Sequence, residues 1–486
     1  MSHTGAGTLK LARHLAGYLP VNLANAIAAF GGVYVFTRLL SAEDYGVYAL
    51  MFWVMAMIHT VCLTWVEAAS YRFSGTAEAN GELADHYRTA LPLMAMATFA
   101  ALCVCTVLWF VFHDRPAYAA TIPWIAALLP INTIVQTALE AHKAGQRVGR
   151  YVFTETFRLL IGFALGAFAA WRLGLGSASP FFGMVFAGGL MAAKELVWLV
   201  RSAKGGRTSA ARQKAWAAYG LPIAAALVLD LIVSGVDRPM IAALLPDGEA
   251  QVGAYAAGYG AAQRPVALIC TWAAMAGGPL LMSAYEKDGP AATREAGRQL
   301  ATFLLFAGVP AAVGIALVAR PFAEAMIGED VREGAMKIIP WIAVTGLLNG
   351  LLISYFSEAF QLAHKTAERA FLMIVPAVAN VALNFILLPM MGLMGAVVAT
   401  VAAYAIAIVL LALAGRRYVA LPVPWAELAK ILLAALAMWP ALMLVPALGG
   451  WPELLLKATL GAAVYLIAAF ALNAAGVRQL VRQQRP

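Results

Sequence analysis

The chain has 486 residues, 62% of them hydrophobic and only 12% charged, with a mean hydropathy of +0.78. Ordinary globular chains carry about 25% charged residues because their surfaces meet water, so a soluble domain is excluded and most of this surface must meet lipid. The net charge of +9 lies in loops between apolar runs, not on a basic face, which excludes nucleic acid as a partner.

In chain order, the sequence divides into fourteen predicted segments of about 20 apolar residues, the length that crosses a hydrocarbon core of roughly 30 Å. The opening residues MSHTGAGTLKLARHLAGYLP carry no small-residue cleavage site after their apolar stretch, so the first segment, 14–36, is expected to be retained. Segments 46–69, 89–112, 118–140, 151–171 and 180–200 follow, and the basic loop RSAKGGRTSAARQK closes this set. A second set runs 217–236, 251–281, 299–319, 335–360, 370–388 and 392–414, and segments 428–446 and 453–473 end the chain. With the N-terminus inside, and residues at segment ends counted with the adjoining loop, 23 of the 34 Lys and Arg fall on the cytoplasmic side, 8 on the other and 3 deep within segments. That asymmetry predicts two cytoplasmic termini. The connections are short, which leaves no room for an extramembrane catalytic domain.

Cys62, Cys103, Cys105 and Cys270 all sit inside apolar runs and read as small buried hydrophobes. The seven histidines form no metal-spaced pair, and no phosphate-binding G-x-x-x-x-G-K-[ST] occurs. Neither metal nor cofactor is expected, and the chain does not read as an enzyme.

The two sets of segments repeat one another. The first segment runs from Tyr18 and Pro20 to Arg38 and continues LLSAEDYGVYAL; the seventh runs from Tyr219 and Pro222 to Arg238 and continues PMIAALLPDGEAQVGAYAAG. AHKAGQR from Ala141 matches AHKTAER from Ala363, and RLGLGSA before the sixth segment parallels PMMGLMGA before the twelfth. Six is an even number, so both halves enter the membrane in the same direction and should be related by an axis along its normal. The expected architecture is an all-α integral membrane protein with two six-helix pseudo-symmetric lobes, 1–216 and 217–427, plus two extra C-terminal helices within 428–486.

RLLSAEDYGVYAL, the VDR ending the seventh segment and LPMMGLMGAVVATVAAY resemble the polysaccharide transporter branch of the multidrug/oligosaccharidyl-lipid/polysaccharide exporter superfamily. The resemblance implies a Wzx-type flippase of the bacterial inner membrane, with two bundles around a V-shaped cavity. Its cargo would be undecaprenyl-diphosphate-linked oligosaccharide, moved from the cytoplasmic to the periplasmic leaflet for O-antigen, capsule or exopolysaccharide. Further implied partners are membrane lipids, a polysaccharide polymerase and a chain-length regulator. In the similar lipid II flippases two additional helices form a groove for the lipid tail, which the surplus pair here fits. The alternatives are a drug or metabolite exporter of the same superfamily, which would stop at twelve helices, and a membrane enzyme of glycan assembly, which would carry a large periplasmic loop.

A flippase needs a wet, charged path for its head group, so ionisable residues at membrane depth are the candidate site. Arg264, mid-segment beside Pro265, offers a planar multi-donor head for phosphate oxygens, with an internal ion pair as the alternative. Cavity arginines are typical of the similar lipid II flippases, and only Arg264 matches them, at the level of its helix. Glu155 and Arg158, one turn apart, could pair with each other or contact sugar. Arg38 and Arg72 stand at segment ends, as cavity-mouth or topology residues. Asp230 is the deep acid of the seventh segment, a candidate for proton coupling or a packing residue. Lys194, Glu195 and Glu358 lie near enough to segment ends to snorkel. Trp53, Trp65, Trp109, Trp124, Trp341 and Trp425 fall where interface anchors belong.

Overall fold

The structure, a computed structural model, describes residues 19–479; the expected start of the first segment at 14–18 and both chain termini lie outside them. Among the described residues every regular element is a helix. The contacts divide the chain into two compact units, up to Val228 and from Leu229 onward. This division falls inside a helix, beyond the expected boundary at 216.

The first unit contains α1 Leu19–Leu39, α2 Ala42–Cys62, α3 Thr64–Ala79, α4 Leu83–Phe112, α5 Pro116–Ala144, α6 Val148–Phe168, α7 Ser179–Ser202 and most of α8 Ala210–Gly235. Ser41 caps α2, its hydroxyl accepting from the Asp44 backbone N–H at 3.1 Å. Between α2 and α3 the helix breaks at Leu63, and the Trp65 indole donates to the freed Cys62 carbonyl at 2.9 Å. Trp65 is therefore a buried cap at the break and not an interface anchor. Helices α6 and α7 touch through Gly162 and Gly183; a Cβ at Gly183 would stand 2.0 Å from the Gly162 carbonyl oxygen, so only glycine permits the approach. The start of α8 is tied to the turn before α4, where Arg212 reaches Glu82 at 2.7 Å and Trp216 is fully buried against His86.

The second unit holds the end of α8, then α9 Asp237–Leu244, α10 Gly248–Ser283, α11 Gly289–Leu317, α12 Ala319–Met326, α13 Glu329–Leu351, α14 Glu358–Leu362, α15 Thr366–Leu372, α16 Ile374–Met391 and α17 Leu393–Gly415. α18 Trp425–Leu436, α19 Met438–Met443 and α20 Gly450–Ala471 complete it. Its core gathers Cys270, Leu304, Tyr355, Phe360, Tyr404 and Leu411. The last helix is held by Tyr465, which donates to the Phe306 carbonyl at 2.7 Å, and by Glu324, which accepts from the Gly450 N–H at 3.0 Å.

Thirteen described stretches are long and apolar enough to cross a membrane, and one of them, Gly248–Leu317, holds both α10 and α11 around a π-helical turn at Ala284–Asp288. At 36 and 29 residues, α10 and α11 are each long enough to span alone. Within the described residues, each of the fourteen expected segments is thus represented by helix.

The internal duplication is visible in backbone turns, with one change of register. Gln146 and His364 both adopt left-handed φ, +52° and +56°, and Gly174 and Gly392 do so at +60° and +58°. Both pairs stand 218 residues apart. After Gln146 the Arg147 N–H donates to the His142 carbonyl, and after His364 the Lys365 N–H donates to the Phe360 carbonyl, each at 2.7 Å. His142 therefore corresponds to Phe360 and Glu140 to Glu358, so the shared letters of AHKAGQR and AHKTAER are one helical turn out of register. The first AHK ends helix α5, whereas the second lies in the turn between α14 and α15, so the shared letters occupy different local structures.

Candidate functional sites in the two units

In the second unit, Arg264 lies near the middle of α10. Its neighbours Ala261, Ala262, Gln263 and Val266 are buried, whereas Arg264 is exposed. No described residue forms a hydrogen bond or ion pair with it. An unpaired guanidinium at this position on a spanning helix is costly in lipid, by roughly 2.5–3.5 kcal/mol on insertion scales, and fits a polar or anionic ligand.

Asp230 near the end of α8 has a partner that the local sequence does not offer. Arg369 of α15 grips it through both nitrogens, Nη2 at 3.1 Å from Oδ1 and Nη1 at 3.2 Å from Oδ2, while Arg369 Nε donates to Ser357 Oγ at 2.9 Å. The pair is part-buried, 33% and 15% exposed respectively. Its geometry is the bidentate fork that makes arginine–carboxylate contacts strong.

Asp237, at the first turn of α9, is fully buried. It accepts from the Tyr255 hydroxyl at 2.6 Å, Asn384 Nδ2 at 2.8 Å and the Thr400 hydroxyl at 2.9 Å, joining α9, α10, α16 and α17. Burial pushes its carboxyl up, and these hydrogen bonds draw it part of the way back. Asn384 Oδ1 and Asn380 Nδ2 beside it have no partner. One carboxylate among hydroxyls and amides suits a proton or a monovalent cation better than a transition metal. Among the described residues no three His, Cys, Asp or Glu side chains gather as a metal site.

In the first unit, Arg158 donates to Glu155 through Nε at 3.1 Å and Nη2 at 2.8 Å, and through Nη1 to Asn132 Oδ1 at 3.4 Å. Glu140 of α5 accepts from Lys143 at 2.8 Å and from Gln136 at 3.1 Å. His59 and Glu67, 3.1 Å apart, bridge the α2–α3 break. Arg38 donates to the Tyr34 carbonyl at 2.8 Å and lies over the Tyr34 ring, whereas Arg72 is exposed on α3.

Glu195 does not snorkel. It is 1% exposed and is held by His142 at 3.0 Å, Thr154 at 3.0 Å and Lys194 at 3.1 Å, so a ring of donors from α5, α6 and α7 replaces the water it would otherwise seek.

Residues 35–334 of the chain match the family described as polysaccharide biosynthesis protein. The chain belongs to that family. No curated protein matches it. Among solved structures, this polysaccharide biosynthesis protein is similar to the lipid II flippase MurJ in an inward closed conformation, with a TM-score of 0.76 at 14% identity, covering 96% of this chain and 100% of that one. It is also similar to an inward-facing multidrug resistance MATE family transporter of the MOP superfamily, at TM-score 0.63 and 16% identity, covering 82% and 93% of the two chains. A MATE structure in the straight conformation gives 0.57 at 15%, over 84% and 94%. These likenesses show that this family member has the fold of the MOP superfamily.

Sequence reasoning passed over two clusters in this family member. Asp237 stands in the VDR triplet, quoted for its resemblance and not for its chemistry, and its partners lie 18 to 163 positions away. Glu195 and His142 are 53 positions apart and meet only through packing of α5 against α7.

Proposed function

We propose that the protein is a flippase that carries undecaprenyl-diphosphate-linked oligosaccharide from the cytoplasmic to the periplasmic leaflet of a bacterial inner membrane. The observation that carries the reading is Arg264, an exposed and unpaired guanidinium midway along a spanning helix. Its planar fork of donors matches diphosphate oxygens. The family name supports a role in polysaccharide assembly. The fold of a lipid flippase accounts for 96% of the chain, against 82% for the multidrug resistance transporter and 84% for the MATE structure in the straight conformation, which supports a lipid cargo. The orientation with both termini in the cytoplasm is supported by the distribution of basic residues. A polymerase and a chain-length regulator would act on the product in the outer leaflet.

For coupling, Asp230 remains the candidate: its protonation would open the bidentate pair and release Arg369. The test is leaflet transfer in sealed vesicles containing the purified protein and a labelled undecaprenyl-diphosphate oligosaccharide. Wild type should move the lipid, faster under an imposed pH gradient, and Asp230→Asn should lose the response to the gradient. No transfer by wild type would refute the flippase; transfer indifferent to the gradient in both proteins would remove Asp230 from coupling.

A further inference from the structure

We propose that one face of the first unit is a glycan subsite, in which Asn132, Gln136 and Glu140 of α5, with Glu155 and Arg158 of α6, bind sugar hydroxyls of the cargo. The proposal rests on the flippase reading and assigns the part of the cargo that this unit recognises. Asn132, Gln136, Glu140 and Lys143 recur at spacings of four, four and three, which puts them on one side of α5. All four are part-exposed, while Thr133, Val135, Thr137, Ala138 and Leu139 between them are buried. Ile131 and Ile134, on another side of the helix, are part-exposed too but pack against the core, so the polar residues form the part-exposed face of this half that carries hydrogen-bonding groups.

The chemistry of the stripe separates it from a phosphate site. Each carboxylate has its own cation, Glu140 with Lys143 and Glu155 with Arg158, both at 2.8 Å. The four charges cancel. A phosphate would meet a carboxylate as readily as a cation here, whereas a polyol, which both donates and accepts, can use every group along the row. Asn132 gives only its Oδ1 to Arg158 and Gln136 only its Nε2 to Glu140, which leaves the Asn132 NH2 as a donor and the Gln136 carbonyl as an acceptor not used in these bonds. Lys143 covers one face of Tyr151 at 5.1 Å, and Tyr71, close enough to act on the Lys143 charge and 51% exposed, offers a ring face for the apolar side of a pyranose.

The dimensions fit a chain of sugars and not one ring. From Asn132 to Lys143 α5 rises about 16 Å, half of the roughly 30 Å hydrocarbon core. Amide and carboxylate groups along such a length are expensive against lipid and imply a wet or ligand-bearing face. Only part of this row is shared by both halves. In the register set by Gln146 with His364 and Gly174 with Gly392, Glu140 recurs as Glu358, whereas Glu155 and Arg158 correspond to Met373 and Pro376, which can supply neither charge nor side-chain donor.

The experiment compares two labelled lipids in vesicles containing the full-length protein: undecaprenyl diphosphate carrying a single N-acetylglucosamine, and the same carrier with a tetrasaccharide. Both are measured on one preparation, so partial loss of folded protein cancels in the ratio of rates. For Asn132→Leu combined with Gln136→Leu, the tetrasaccharide-to-monosaccharide ratio should fall about tenfold from its wild-type value, and Asn132→Asp alone, which keeps the acceptor for Arg158, should fall less. A ratio unchanged in the double variant, whatever the absolute rates, would overturn the subsite. Wild type that moves neither lipid would refute the flippase reading, and this inference with it.

Discussion

Replacing Asp237 with alanine is expected to cost roughly 3 kcal/mol or more of stability, the largest loss from any single side chain discussed for the second unit. The change strips a fully buried site of the acceptor for three donors, the hydroxyls of Tyr255 and Thr400 and the amide of Asn384. Each orphaned donor costs about 1–3 kcal/mol when water cannot reach it. The three losses are not additive, because Asn384 retains the Asn380 carbonyl at 2.9 Å and Thr400 the Ala396 carbonyl at 3.0 Å. Asp237→Asn preserves the shape and one acceptor oxygen, and should lose less. The measurement is the thermal unfolding midpoint of purified protein in detergent, alongside the yield of monodisperse material. An alanine variant that matched wild type in both would show that the cluster is not a structural lock.

The second large effect is functional. Arg264→Ala should weaken productive engagement of the diphosphate by about tenfold to a hundredfold, the loss of a charge-assisted contact worth roughly 1.5–3 kcal/mol. Folding should be spared, because no described residue depends on Arg264 for a hydrogen bond. Arg264→Lys keeps the charge but not the fork, and should restore transport only in part. Surface glycan restored to a deletion strain by each variant, at matched protein levels, reads this out. Full restoration by Arg264→Ala would remove it from cargo binding.

The sequence made the helices legible because spanning a bilayer leaves a run of about twenty apolar residues as its own signature. The turns were legible where glycine carried them, as at Gly174 and Gly392. They were misread where Gln146 and His364 adopt the same left-handed conformation without glycine, and the identical letters of AHK then supplied a false register. Of the candidate residues, Arg264 could be singled out because isolation within an apolar segment is a local property. Pairing is not local: the partner of Asp230 lies 139 positions away, and that of Glu195 lies 53 away. The duplication concealed Asp237 as well. The match of Arg38 with Arg238 gives Thr37, inside the first helix, as the corresponding position; its hydroxyl donates to the Val33 carbonyl at 2.6 Å, so comparison of the halves drew no attention to an acid there. Asn132 and Gln136 were missed because uncharged amides cost less in a helix than ions and stand out less.

The most direct test of the central claim is the leaflet distribution of lipid-linked oligosaccharide in cells from which the gene has been deleted. The completed repeat unit should accumulate on its carrier, confined to the cytoplasmic leaflet, with polymerised surface polysaccharide lost and both defects reversed by the wild-type gene. Normal surface polysaccharide with no accumulated intermediate would contradict it, and a rise in drug sensitivity in its place would turn the reading to the exporter.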